Sequence, residues 1–137
     1  MHRTAAIALV CASVFLAGCG GKLAQVTGKV TLDDRPLERG TVTFHPVKAG
    51  PLGIGALQPG GTYQIKSGDQ SGVPPGDYQV TVVATADPPK PAAGAGPAPE
   101  APPALLTPAK YGKVETSGLR FTVPAGGGSF PIPLKSQ

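Results

Sequence analysis

Along most of this chain apolar and polar residues alternate with a period of two, the spacing of extended strands that turn one face to a core. The first run sets Val26, Gly28, Val30 and Leu32 on one face and Thr27, Lys29 and Thr31 on the other. The pattern returns as Val42 and Phe44 against Thr41, Thr43 and His45, then as Tyr63 and Ile65 against Thr62, Gln64 and Lys66. Tyr78, Val80, Val82 and Ala84 against Gln79 and Thr81 make the strongest strand. Leu119, Phe121 and Val123 form another, and Phe130, Ile132 and Leu134 close the series. Residues 52–57 supply a seventh strand, with Gly53 and Gly55 diluting its signal.

Turn residues punctuate these runs at Asp33-Asp34-Arg35-Pro36, Lys48 to Pro51, Pro59-Gly60-Gly61, Pro74 to Asp77 and Ala125 to Gly128. No stretch long enough for a sizeable helix is free of Gly and Pro. Short strands with one apolar face each bury those faces by stacking two sheets, so the fold predicted is an all-β sandwich. Pro131 and Pro133, two apart and both without an amide hydrogen, place the last strand at a sheet edge with its donor-poor side outward. Residues 87–104, rich in Pro, Ala and Gly and without alternation, read as a mobile loop of extended, polyproline-like character.

A different pattern precedes the strands. His2 and Arg3 lead into an apolar run from Ala5 to Leu16, too short to span a bilayer comfortably, and small residues then lead to Cys19. Leu16-Ala17-Gly18-Cys19 resembles the lipobox of bacterial lipoproteins. The resemblance implies a signal peptide over residues 1–18, a diacylglycerol on the Cys19 thiol and usually an acyl group on its new amine. Residues 19–24 then form a short tether, and residues 25–136 the sandwich. Two or more acyl chains hold a protein stably on a membrane, each buried methylene contributing about 0.8 kcal/mol. The expected place is the cell envelope, lipid-anchored and extracytoplasmic. Gly20 stands where an aspartate signals inner-membrane retention in some bacteria, which favours the outer membrane.

Composition narrows the chemistry. The 137 residues include two cysteines, Cys11 within the signal and Cys19 at the lipidation site, so no thiol remains for a disulfide, a metal or nucleophilic attack. The net charge of +4 is carried by scattered lysines and arginines, which indicates no nucleic-acid patch and no polybasic membrane stripe. With 20 Gly and 17 Pro the chain could be of low complexity, but these residues fall between the apolar alternations and read as turns.

Four segments carry a family resemblance: residues 26–37 (Val-Thr-Gly-Lys-Val-Thr-Leu-Asp-Asp-Arg-Pro-Leu), Gly40-Thr-Val-Thr-Phe44, Gly61-Thr-Tyr-Gln-Ile65 and residues 75–82 (Pro-Gly-Asp-Tyr-Gln-Val-Thr-Val). Together they resemble the carboxypeptidase regulatory-like domain, and in particular small bacterial lipoproteins made of little else. The resemblance implies a seven-stranded, Greek-key-like sandwich of transthyretin-like or immunoglobulin-like architecture. Asp34 stands where the first hairpin of that family usually carries glycine, and Asp tolerates a positive φ at some cost. Members share no common catalytic activity, and fold alone does not give function.

Candidate chemistry is sparse. Zinc peptidase chemistry needs His and Glu ligands, whereas His45 is the one histidine beyond the signal. A Ser-His-Asp triad would have to use His45, and no Gly-x-Ser-x-Gly elbow accompanies it. A calcium site from Asp33, Asp34, Asp69 and Asp77 lacks the usual Asp-x-Asp-Gly spacing, and turn capping explains these residues better. No enzyme, metal or cofactor is therefore expected. The expectation is a non-catalytic structural or protein-interaction module whose partners are the membrane, through lipid on Cys19, and an unidentified envelope protein or glycan. The runner-up is a carbohydrate-binding module that stacks a sugar on Tyr111, a residue that can equally pin a loop.

Overall fold

A computed structural model describes residues 21–86 and 104–137. The expected signal peptide, Cys19 and all but the last residue of the Pro-rich loop lie outside the described residues. The described chain folds as an all-β sandwich of two sheets with little helix. Each of the seven expected strands is present: β1 (Val26–Leu32), β3 (Thr41–Pro46), β4 (Gly53–Ala56), β5 (Thr62–Gln64), β8 (Gly76–Val83), β9 (Leu119–Val123) and β11 (Ile132–Leu134). Four two-residue strands complete them: β2 (Arg35–Pro36), β6 (Lys66–Ser67), β7 (Gln70–Ser71) and β10 (Gly128–Ser129).

The larger sheet runs β7-β6-β4-β3-β8-β9. The smaller is organised on β1, which pairs antiparallel with β2 and β5 and parallel with β10 and β11. At Ile65 the chain passes from β5 in the smaller sheet to β6 in the larger. Between the sheets lies the core, with Phe44 fully buried at its centre and ring centroids of Tyr63, Tyr78 and Phe121 at 6.4, 5.8 and 6.2 Å.

Three local features follow from the sequence. Asp33 (φ 48°) and Asp34 (φ 67°) form the two-residue turn between Leu32 and Arg35, and positive φ at both central positions is what a type I′ hairpin requires. Tyr78, near the start of β8, donates from its hydroxyl to the Pro74 carbonyl at 2.8 Å, the tyrosine corner of Greek-key sandwiches. β11 pairs with β1 alone and is an edge strand. Phe130 donates to Thr27 and Leu134 accepts from Asp33, so by alternation the nitrogens of Pro131 and Pro133 turn away from β1.

In β4 the faces are reversed relative to a simple apolar count. Gly53 and Gly55 point inward, while Ile54 is 52% exposed. The cause is steric: a Cβ on Gly53 would lie 2.5 Å from Val73 and 2.6 Å from Ile65, whose side chains already fill that part of the core.

Candidate functional site

The strand registers give the sandwich two unlike ends. Ala24, assigned to the tether by the sequence pattern, is buried and exchanges backbone hydrogen bonds with Val73 at 2.8 and 3.0 Å. Beside this start of β1 lie the β3–β4 connection (residues 47–52), Pro74 and Pro75, the β6–β7 hairpin and the turn after Val123, as the pairs Phe44 with Gly53, Lys66 with Ser71, Gly76 with Val123 and Val26 with Gly128 require. A groove of about 290 Å³ opens here between Pro46, Pro51, Pro74, Pro75 and Tyr78.

The opposite end carries the Asp33-Asp34 turn, the last described residues and the stem from which residues 87–103 depart. In that stem Ala86 donates to the Ala104 carbonyl at 2.8 Å and Leu106 to that of Ala84 at 2.9 Å. β8 pairs with β3 through Val83, but its pairing with β9 stops at Val80, so on that side the end of β8 lacks a strand. Thr107 fills part of the gap: its buried hydroxyl accepts from the Ala84 amide at 3.1 Å and donates to the Val82 carbonyl at 3.4 Å. A shallow groove of about 270 Å³ lies against Val83, Leu105, Pro108, Ala109 and Lys113.

Tyr111 sits in a 3-10 turn (Ala109–Gly112) just before the one-turn helix α1 (Val114–Ser117). Its ring belongs to the core, with the residue only 9% exposed, and its hydroxyl accepts from the Lys135 amide at 3.2 Å. The Lys110 amine lies 4.9 Å from the ring centroid. The side chain thus ties the segment after the Pro-rich stretch to the end of β11, the loop-pin arrangement, and offers no open face for stacking on a sugar. Among the described residues no Tyr or Phe is exposed.

The polar candidates lie apart. His45 places Nε2 3.1 Å from the Thr81 hydroxyl on the outer face of the larger sheet, where β3 and β8 are neighbours. Asp77 accepts from the Thr122 hydroxyl at 2.7 Å across the β8–β9 ladder. Asp33 accepts from the Ser136 amide at 3.1 Å at the opposite end. Hydrogen bonds from Ser136, assisted by the charges of Lys135 and Arg35, hold the Asp33 carboxyl below its ordinary range. Among the described residues no three of His, Cys, Asp and Glu converge on a point that could hold a metal ion. The His45–Thr81 contact alone is a side-chain tether across two strands. Nucleophilic catalysis would also need an acid to orient the imidazole and donors for an oxyanion.

Sequence reading did not anticipate a clasp around Gly28. Tyr63 reaches across β1, its hydroxyl donating to the Phe130 carbonyl at 2.6 Å, and a Cβ on Gly28 would lie 2.7 Å from its ring and collide with the Phe130 carbonyl. Burial keeps the Tyr63 phenol protonated far above its ordinary range. The signal was present as a glycine inside an otherwise regular strand, a mark of close approach by a neighbour. The exposed apolar group of Val47, Leu52 and Ile54 was also missed. Its signal was Gly53-x-Gly55, because glycines at one parity of a strand leave the side chains of the other parity outside.

The chain matches no family model, no curated protein and no solved structure.

Proposed function

We propose that this chain is an extracytoplasmic lipoprotein, held on the cell envelope by acyl chains on Cys19, whose carboxypeptidase regulatory-like sandwich serves as a non-catalytic interaction module. The observation that carries the reading is a spacing: Leu16-Ala17-Gly18-Cys19 is followed, five residues after the cysteine, by Ala24, which is already buried and paired in the fold. An extended chain spans at most about 3.6 Å per residue, so those five residues reach about 18 Å. That is a tether between lipid and domain, with no room for another folded unit. The scattered polar groups support binding over catalysis, and the buried setting of Tyr111 gives the carbohydrate reading no platform. Gly20 favours delivery to the outer membrane.

The test is the intact mass of the native protein purified from membranes, beside a Cys19→Ser variant. The expected mass is that of residues 19–137 plus acyl chains, with both the added mass and membrane attachment lost in the variant. An unmodified mass, or one that retains residues 1–18, overturns the reading.

A further inference from the structure

Among the described residues six large apolar side chains are exposed, and they fall into two groups of three. Val83, Leu105 and Leu106 lie at the stem of the Pro-rich stretch. Val47 (58% exposed), Leu52 (48%) and Ile54 (52%) lie at the other end, beside the start of β1. In the second group Ile54 faces outward because Gly53 and Gly55 take the inward positions of β4, but the other two are not by-products of strand pairing. Val47 and Leu52 flank the β3–β4 connection outside both strands, where nothing requires an apolar side chain. Ile54 continues the surface formed by Leu52, two residues away on the same face of the chain.

Cations frame this group. Lys48 follows Val47, and Lys66 pairs directly with Ile54 across the β4–β6 ladder. A lysine stem lies along apolar neighbours while its amine reaches outward to a polar layer. Lys22 adds a third positive charge on the segment leading into Ala24. Two acids share this end: Asp69 in the β6–β7 turn and Asp77, whose carboxylate is engaged by Thr122. An apolar surface rimmed by lysines suits the boundary between acyl chains and anionic headgroups.

We propose that the end of the sandwich bearing Val47, Leu52 and Ile54 seats directly on the lipid surface, so that the domain stands docked on the bilayer with the Pro-rich stem facing away. The proposal rests on the lipid-anchor reading. It also goes beyond it, since a five-residue tether alone would equally permit the domain to swing free. Geometry selects this group over the other. The tether enters the fold at Ala24, and the seven residues of β1 separate the two ends by about 23 Å at roughly 3.3 Å per residue. Leu105 bridges to Thr85, eight residues along the chain from Asp77, whose carbonyl accepts from Val47, so Leu105 and Leu106 lie at the far end, while Val83, opposite Thr41, stands between them and the second group.

The chain contains no tryptophan, so a single one reports its own surroundings. Val47→Trp and, separately, Leu105→Trp are made in the full chain, purified with native acylation, checked by intact mass and reconstituted into phosphatidylethanolamine vesicles containing a minority of phosphatidylglycerol. Both positions are exposed, so neither substitution disturbs the core. The expected result is emission from position 47 quenched several-fold more by brominated lipid than emission from position 105, with the reverse order for acrylamide. Adding Leu52→Glu to Val47→Trp should lower the lipid quenching while the protein still floats with the vesicles. Equal quenching at the two positions in acylated, vesicle-bound protein overturns the docking and leaves the anchor intact. Protein that carries no acyl chains and does not float overturns both.

Discussion

The two sheets face one core but are built in different ways. In the larger sheet, β3 and β8 match over six consecutive residue pairs and β8 and β9 over five, so side-chain alternation repeats from strand to strand. The smaller sheet consists of one seven-residue strand, β1, with four neighbours that each pair over only two or three residues. A long ladder spreads its stability over many equivalent pairs. The smaller sheet depends instead on particular contacts, chiefly the Gly28–Tyr63–Phe130 clasp and the ties from Tyr111 and Asp33 to its far end. It should therefore fail locally under single substitutions that the larger sheet would absorb.

The largest expected effect tests that difference. Gly28→Val brings side-chain atoms onto the Tyr63 ring and the Phe130 carbonyl, both held by backbone on either side of β1. Overpacking of this kind costs about 1–3 kcal/mol and more where backbone must move. The expected outcome is a lower urea midpoint, with hydrogen-exchange protection lost first from β5, β10 and β11 while β3 and β8 keep theirs. Protection lost evenly across both sheets would mean that they unfold as one unit. A comparison substitution in the larger sheet is Thr43→Val, on the outer face beside Thr81 and Ile54, for which a change within about 0.5 kcal/mol is expected.

Tyr63→Phe is a milder cut at the same place. It removes one hydrogen bond, leaves the ring over Gly28, and should cost about 1 kcal/mol. The pH dependence gives the effect a signature. Because burial raises the phenol pKa in the fold, the wild type keeps this stabilisation below the unfolded pKa of about 10 and loses it as pH rises beyond, where the unfolded state ionises first. The gap between wild type and Tyr63→Phe should narrow above pH ~10 in denaturant titrations. A constant gap would show that the hydroxyl is not held protonated by burial.

The same contrast explains what could be read from the sequence. Where strands are long, alternation is written into every second residue, and the core positions Val42, Phe44, Tyr78, Val80 and Val82 follow from it. Pro131 and Pro133 declared an edge because a missing donor constrains pairing wherever the strand lies. Thr107 and Tyr111 could not be read this way. Their partners, Val82, Ala84 and Lys135, are more than twenty residues away in sequence, and neither the Pro-Ala stretch before Thr107 nor the short segment around Tyr111 carries a period that names them. Gly28 and Gly53 are intermediate cases. A glycine in a strand announces close approach, but only the fold names the neighbour, Tyr63 in one case and Val73 with Ile65 in the other.

The smallest expected effect lies at the far end of the smaller sheet. Asp33 sits in the β1–β2 turn, and its carboxylate accepts from the Ser136 amide just beyond β11. Hydrogen bonds from Ser136, then the charges of Lys135 and Arg35, lower its pKa in the fold. The contact is therefore fully present above the unfolded value of about 3.9 and is lost as pH falls through the lower folded value. Amide resonances of Lys135 and Ser136 should titrate in that acidic window, with their local order decreasing while β3 and β8 remain unchanged. Asp33→Asn keeps an acceptor oxygen and tolerates the positive φ of the turn, so it should abolish the titration without freeing the segment at neutral pH. If the segment is freed at neutral pH, the negative charge, rather than an acceptor at this position, is what holds it. If it still titrates in the variant, another group controls the end of β11. In that second case the Tyr111 hydroxyl, which accepts from the Lys135 amide, is the remaining tie from outside the sheet.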